Sequence, residues 1–228
     1  MRKRLHQIWV TDTPIPEHIE QYMSDLASGL PEDWEYIKWT DENLPKMVYR
    51  HWSPGFQDAF NRETKGAMKA DLLRVWILIH YGGIYLDADF EHVGGIETID
   101  VDWDNIEGVL LFHKKDNPTW GMDNTMPNGC WGLSEGSKLG EWLKASVEEA
   151  VIKHKGPIWL GPSWLGEQVR SFVGVELDTP HEEVGAALAE RGYAYLPFSD
   201  FEKTAYRHHD LFSWEWDDKL KGKPKPKQ

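Results

Sequence analysis

Apolar and polar positions along this chain repeat with two periods, and the alternation of those periods sets the fold class. Leu5 to Val10 (LHQIWV) reads as a first strand, and a turn containing Pro14 and Pro16 closes it. A helix follows from about Glu17 to Leu26. Trp34 to Trp39 (WEYIKW) alternates as a second strand that stops at the polar run Thr40-Asp41-Glu42-Asn43. Ala67 to Tyr81 has the best helical spacing in the chain, with Leu72, Trp76 and Ile79 as an apolar stripe and Leu73 and Ile77 at its edges. Gly82-Gly83 supplies a left-handed stop, and Ile84 to Leu86 then enters a sheet. Val109 to Phe112 and Tyr193 to Leu196 are further strands. Further helices are predicted at Ser137 to His154, within Trp164 to Phe172 and within Glu182 to Arg191. Strands alternating with helices predict an α/β fold with a mixed, mostly parallel sheet flanked by helices.

Composition narrows the classes. At 228 residues, 40% hydrophobic and 28% charged, the chain fits one globular domain, assigned to residues 1–216. The ending KLKGKPKPKQ, with five lysines and two prolines, cannot pack a core, so residues 217–228 read as a flexible Lys/Pro-rich tail. A net charge of −13 argues against an extensive nucleic-acid footprint. A single cysteine, Cys130, excludes an internal disulfide and points to a reducing compartment. Arg2, Lys3 and Arg4 resemble the start of a signal peptide, but His6, Gln7, Thr11 and Asp12 interrupt the apolar region that would have to follow. The longest apolar run, Val75 to Ile79, is too short to cross a bilayer. The expectation is a cytoplasmic protein without stable membrane insertion. Thirteen tryptophans are the outlier; indole faces stack on bases and sugars, although most tryptophans serve the core.

Candidate chemistry concentrates where the third strand ends. Asp87 and Asp89 are one residue apart, so strand alternation sends both carboxylates to one side at a strand end, where open α/β sheets bind ligands. Carboxylate oxygens suit hard dications such as Mg²⁺ and Mn²⁺. The run Asp87-x-Asp89-x-Glu91 is not an EF-hand, because its sixth position is His92 and its twelfth is Thr98. On the preceding helix, Asp71 and Arg74 are spaced for an i,i+3 ion pair. A bare D-x-D occurs often in acidic proteins. A metal-dependent phosphohydrolase or nuclease and a non-catalytic nucleotide-sugar-binding protein are alternatives at this point.

A longer pattern surrounds these two carboxylates. Ala67 through Asp71-Leu72-Leu73-Arg74, then Gly82-Gly83-Ile84-Tyr85-Leu86-Asp87-Ala88-Asp89, places the first aspartate of D-x-D sixteen residues after Asp71. Leu5-His6-Gln7-Ile8-Trp9 and Trp39 to Asn43 precede it; Gly161-Pro162 and His208-His209-Asp210-Leu211-Phe212-Ser213-Trp214 follow in order. With these motifs the chain resembles the glycosyltransferases of family 32, which include capsular polysaccharide enzymes and fungal initiating mannosyltransferases, and more remotely the glucosylating clostridial toxins. The resemblance spans roughly residues 5 to 216 and is loose from about 95 to 155. Phe212 stands where the family has a glycine before Ser-Trp.

The resemblance implies a GT-A, Rossmann-like nucleotide-sugar-binding domain and a retaining hexosyltransferase that uses Mn²⁺ or Mg²⁺. It implies a nucleotide-diphospho-sugar donor, UDP-linked in first place and GDP-linked in second, and a glycan or other hydroxyl acceptor. Asp87 and Asp89 would hold the metal, with Asp87 also available to the ribose. His208, or His209 in its place, would be a third ligand or a diphosphate donor. Trp9 would stack on the base, Asn43 would lie near the nucleoside, and Asp71 with Arg74 would grip the donor sugar. Tyr85 would contact donor or phosphate, and Ser213 with Trp214 would close over the diphosphate. Acceptor selection falls to the loosely matching middle, with Trp120, Asp123, Asn128 and Trp131 as candidates.

Overall fold

Six strands form the central sheet, and along each of them successive side chains enter two different apolar layers. The computed structural model describes residues 1–11, 13–44, 53–112, 125–153 and 160–209. The chain runs β1 (Arg4–Trp9), α1 (Glu17–Ser28), β2 (Glu35–Thr40), α2 (Pro54–Arg62), α3 (Gly66–Tyr81), β3 (Gly83–Leu86) and β4 (Phe90–His92). After a short 3₁₀ turn at Ile96–Thr98 come β5 (Gly108–Phe112), β6 (Cys130–Leu133), α4 (Lys138–Lys153) and α5 (Pro162–Val173). The described chain ends with α6 (His181–Ala189), β7 (Tyr193–Pro197), α7 (Phe198–Thr204) and β8 (Tyr206–His208).

The sheet order is β2-β1-β3-β6-β5-β7, with β4 and β8 forming a separate two-stranded ladder. β1 pairs in parallel with β2 and with β3, and β5 with β7; β6 is antiparallel to both β3 and β5. The expected mixed, mostly parallel sheet is present. Ile8, Tyr85, Leu110, Trp131 and Tyr193 enter one layer, under α2 to α6. Their strand neighbours Leu5, Leu86, Leu111, Cys130 and Leu196 belong to the other, under α1 and α7.

Helix α3 differs from its predicted form. A one-sided apolar stripe was expected, but every residue from Leu72 to Ile79 is buried. A helix apolar all round is a central helix. This one packs between the sheet and α4. Helix α2 was not anticipated, although its signal is in the sequence: Ser53 accepts a hydrogen bond from the Phe56 amide, and Pro54 occupies the first turn. Trp39 and Trp131 are 0% and 1% exposed, so both serve the core. Trp131 is thereby removed from the acceptor candidates. Trp120 and Asp123 lie outside the described residues, as do Ser213, Trp214 and the 217–228 tail.

The Gly-Gly stop ends the helix at a positive φ, though with an extended ψ of −175° at Gly82 rather than the left-handed helical conformation expected, and it is locked from the neighbouring strand. Gly82 has φ 61°, and a Cβ there would lie 2.8 Å from the Glu135 amide nitrogen. His6 on β1 is fully buried, donates from Nε2 to the Gly82 carbonyl at 2.8 Å, and accepts the Trp39 indole N–H on Nδ1 at 3.2 Å. An indole N–H only donates, so this pattern holds a neutral imidazole with its proton on Nε2. Burial pulls the His6 pKa down to about 4 from its ordinary 6.5. Between those values the unfolded chain binds a proton that the folded chain refuses, so stability falls as pH falls through that window. The expected loss reaches about 3 kcal/mol. Urea denaturation of the protein and of His6→Asn at pH 7 and at pH 4.5 checks this; equal pH slopes in the two would exclude it.

Candidate active site

Asp87 follows β3 directly and is pinned from every side. Its amide donates to the Gly129 carbonyl at 2.8 Å, which extends the β3–β6 ladder by one step. Its carbonyl accepts the Gln7 Nε2–H at 3.0 Å. Its Oδ1 accepts the Tyr85 hydroxyl at 2.5 Å and lies 3.3 Å from Arg74 Nη2. A Cβ on Gly129 would fall 2.5 Å from Asp87 Oδ2, so only glycine leaves room for this carboxylate.

Asp89 reaches the same place by a different route from the one predicted. The strand ends at Leu86, and residues 88 and 89 form a turn in which the Phe90 amide donates to the Asp87 carbonyl at 3.3 Å. A tight turn, rather than strand alternation, brings the carboxylates together. The chain then re-enters extended structure as β4, whose partner is β8, with Phe90 opposite His208. That ladder delivers a histidine from the far end of the chain. His208 stacks on the buried Phe90 ring, with centroids 4.6 Å apart and planes at 17°, and meets Phe198 edge-on. Its Nε2 sits 3.2 Å from Asp89 Oδ1.

Asp87, Asp89 and His208 each direct one ligand atom into the same space, all within 4.8 Å of one another. Side-chain exposures of 27% for Asp87, 16% for Asp89 and 17% for His208 leave the cluster open on one side. Two carboxylate oxygens and an imidazole nitrogen are a donor set that fits Mn²⁺ or Mg²⁺, the imidazole being better suited to Mn²⁺. The structure distinguishes the paired histidines. His209 faces the other way, with Nε2 3.1 Å from Glu91 Oε2 and its ring stacked on Tyr22.

Beneath the cluster lies a charge network centred on Arg74, whose side chain is only 6% exposed. Its Nη2 is 3.1 Å from Asp71 Oδ1, the i,i+3 pair expected from spacing, and it also spans to Asp87. Nη1 donates to the Asn128 carbonyl at 2.8 Å, Nε donates to the Ala70 carbonyl at 3.3 Å, and the guanidinium lies 4.7 Å over the Tyr85 ring. Asn128 returns to the network by donating from Nδ2 to Asp71 Oδ1 at 2.9 Å. Burial opposes the Arg74 charge, but Asp87, Tyr85, Asp71 and Asp89 together outweigh it and hold the guanidinium protonated. Burial pushes the Asp71 carboxyl above its ordinary range, partly countered by Arg74.

The geometry gives each of the other expected site residues its own partners. Arg74, only 6% exposed, is engaged by Asp71, Asp87 and the carbonyls of Ala70 and Asn128. Asp71, 20% exposed, keeps an open edge. Tyr85 is 1% exposed and gives its hydroxyl proton to the Asp87 carboxylate. Asn43 closes the turn after β2, accepting the Thr40 N–H at 2.8 Å and donating to the Lys38 carbonyl at 2.6 Å. Trp9 ends β1, half-buried, with its indole N–H on the Thr13 carbonyl at 3.1 Å. Asn128, anticipated as an acceptor contact, instead joins the Asp71–Arg74 pair. Gln7 and Gly129 carried no role in the sequence reading. Gln7 stood inside the quoted N-terminal motif, and a polar residue at an inward position of a buried strand was its available signal.

Residues 16–106 match the family described as the glycosyltransferase sugar-binding region containing a DXD motif. That stretch holds Asp71, Arg74, Tyr85, Asp87 and Asp89. The resemblance to DXD glycosyltransferases is borne out. Inositol phosphoceramide mannosyltransferase 1 of Schizosaccharomyces pombe is 33% identical over 87 residues, 37% of this chain and 27% of that protein. Mannosyl phosphorylinositol ceramide synthase SUR1 of Saccharomyces cerevisiae is 37% identical over 87 residues, 38% of this chain and 22% of that protein. The similarity to these longer relatives therefore spans about a quarter of their length. The solved PaToxG glycosyltransferase superposes with a TM-score of 0.55 at 18% identity, covering 83% of this chain and 77% of that one. The fold is of the GT-A glycosyltransferase type. Among the described residues no helix is long and apolar enough to cross a membrane.

Proposed function

We propose that this glycosyltransferase-like chain is a metal-dependent enzyme that moves a hexose from a nucleotide-diphospho-sugar to a hydroxyl acceptor with retention of anomeric configuration. The observation that carries the reading is the convergence of Asp87, Asp89 and His208 within 4.8 Å, beside the Asp71–Arg74 pair, with Asp71, Arg74, Asp87 and Asp89 all inside the matched sugar-binding region.

Charge supports the metal requirement. Among the described residues Asp71, Asp87 and Asp89 share one neighbourhood with the Arg74 guanidinium, so an incoming diphosphate meets a surplus of like charge. Asp87, Asp89 and His208 would hold the cation, which when bound neutralises the charge that develops on the departing diphosphate. The remaining work falls to the chain. Arg74 and Tyr85 fix the Asp87 carboxylate, and Phe90 fixes the His208 ring, so the ligand atoms need little reorganisation. The open edge of Asp71 faces the donor sugar as a hydroxyl acceptor in the hydrogen-bonding sense. Trp9, at the same carboxyl end of the sheet, is assigned to the base. Retention is attributed to attack from the face the diphosphate leaves, with a phosphate oxygen taking the acceptor proton.

The relatives named as mannosyltransferases bring a GDP-linked donor level with the UDP-linked one, and mannose among the hexoses to be tried. The deciding measurement is calorimetry of UDP-, GDP- and dTDP-sugars with Mn²⁺ and again with EDTA. One nucleotide should bind with Mn²⁺ and lose at least about tenfold in affinity with the chelator. Binding of none of them, or binding indifferent to EDTA, removes the metal clamp from the proposal.

A further inference from the structure

The backbone ladder between β1 and β3 ends one step short of the site. The last paired residues are His6 and Tyr85, while Asp87 lies two positions beyond, where no backbone group of β1 reaches it. A side chain fills the gap. Gln7, fully buried, donates from Nε2 to the Asp87 carbonyl at 3.0 Å. Its Oε1 in turn accepts the Tyr36 hydroxyl at 2.8 Å, from the adjacent strand β2. Because the Asp87 carbonyl only accepts, the amide has one orientation, with its NH₂ toward Asp87, and its Oε1 is then left to accept from the Tyr36 hydroxyl. A three-residue hydrogen-bonded chain thus crosses β2, β1 and the end of β3.

The two faces of the sheet divide the work on Asp87. Tyr85 and Arg74 hold its carboxylate from the layer that contains α3. Gln7 and Tyr36 hold its main-chain carbonyl from the layer that contains Leu5 and Leu86. Only one residue separates Asp87 from Asp89, and the turn between them is closed by the Phe90 amide on that same Asp87 carbonyl. The carbonyl is therefore the pivot of the D-x-D turn, and it is shared by Phe90 and Gln7. A rotation of the Asp87–Ala88 peptide would swing Asp89 away from His208 while leaving the Asp87 carboxylate where Arg74 keeps it.

We infer that Gln7, oriented by Tyr36, is a positioning residue that sets the separation of the two D-x-D carboxylates and so the affinity of their site for a divalent cation. This rests on the metal-site reading above. A group buried merely for packing would affect stability, whereas a group that sets ligand spacing affects cation affinity at unchanged stability.

The experiment is Mn²⁺ titration of the full chain, followed by the electron paramagnetic resonance signal of the free ion, on the wild type, Gln7→Met, Tyr36→Phe and Asp89→Asn, each with its melting temperature. Methionine keeps the length and removes both polar ends. The expected result is an affinity about tenfold weaker in Gln7→Met. Tyr36→Phe should weaken it by a smaller factor and melt close to the wild type, so it carries the test alone if Gln7→Met does not fold. Wild-type affinity in both variants, or in a lone folded Tyr36→Phe, overturns the positioning role and leaves the metal site standing. No saturable Mn²⁺ in the wild type, or binding unchanged by Asp89→Asn, overturns the metal-site reading itself and this inference with it.

Discussion

Asp89→Asn should lower sugar transfer by at least about a hundredfold while the protein melts within a few degrees of the wild type. The substitution is nearly isosteric and removes one negative charge from a cluster of two carboxylates and one imidazole. Its main-chain oxygen, which accepts the His209 amide at 3.2 Å, is untouched, so the β4–β8 ladder persists. The carboxamide oxygen is a poorer ligand and no longer offsets a dication, and His208 loses the carboxylate 3.2 Å from its Nε2. Asp87→Asn is the less clean test because Asp87 also pairs with Arg74, so it mixes catalysis with folding. Transfer rates for Asp89→Asn measured at saturating Mn²⁺ decide the matter. Near-normal turnover would take the metal role away from Asp89.

The second large effect is on stability. Arg74→Met should cost about 3–5 kcal/mol, because it strands Asp71 and Asp87 as buried or half-buried carboxylates without their cation. It also abandons the Asn128 carbonyl, which accepts from Nη1 at 2.8 Å, and the face of Tyr85. Arg74→Lys keeps a charge but not the planar fork that reaches both carboxylates, so it should fall in between. Chemical denaturation of the three proteins measures this. A cost below about 1 kcal/mol in Arg74→Met would contradict the buried network. A variant that stays stable yet binds its donor sugar poorly would return Arg74 to the sugar.

The chemistry of this chain was more legible in its sequence than the means of assembling it. Long helices and apolar strands announce themselves by period, and β1, α1, β2, α3 and β3 sit within a few residues of their predicted places. The sixteen-residue spacing from Asp71 to Asp87 likewise marked both carboxylates, because helix, stop and strand are each of fixed rise. The three-residue strands at Phe90–His92 and Tyr206–His208 were invisible, since Phe-Glu-His and Tyr-Arg-His are too short and too polar to show a period. They exist only because each finds the other. Cys130–Leu133 was missed for a related reason, a four-residue apolar run with an internal glycine. Arg74 was expected to face the donor sugar, whereas its side chain is 6% exposed and paired with Asp71 and Asp87; spacing reveals which residues are neighbours but not which of them are buried.

The pairing of β4 with β8 also orders events in time. β4 directly follows the D-x-D turn, whereas β8 comes after every strand of the central sheet. A chain emerging from the ribosome can complete the whole six-stranded sheet, Asp87 and Asp89 included, and still lack both the partner of β4 and the imidazole of His208. Bringing His208 to the two carboxylates therefore has to wait for the last described strand. A protein stalled or trimmed before Tyr206 would lack that buried ring from the second apolar layer and, with His208, the third candidate ligand.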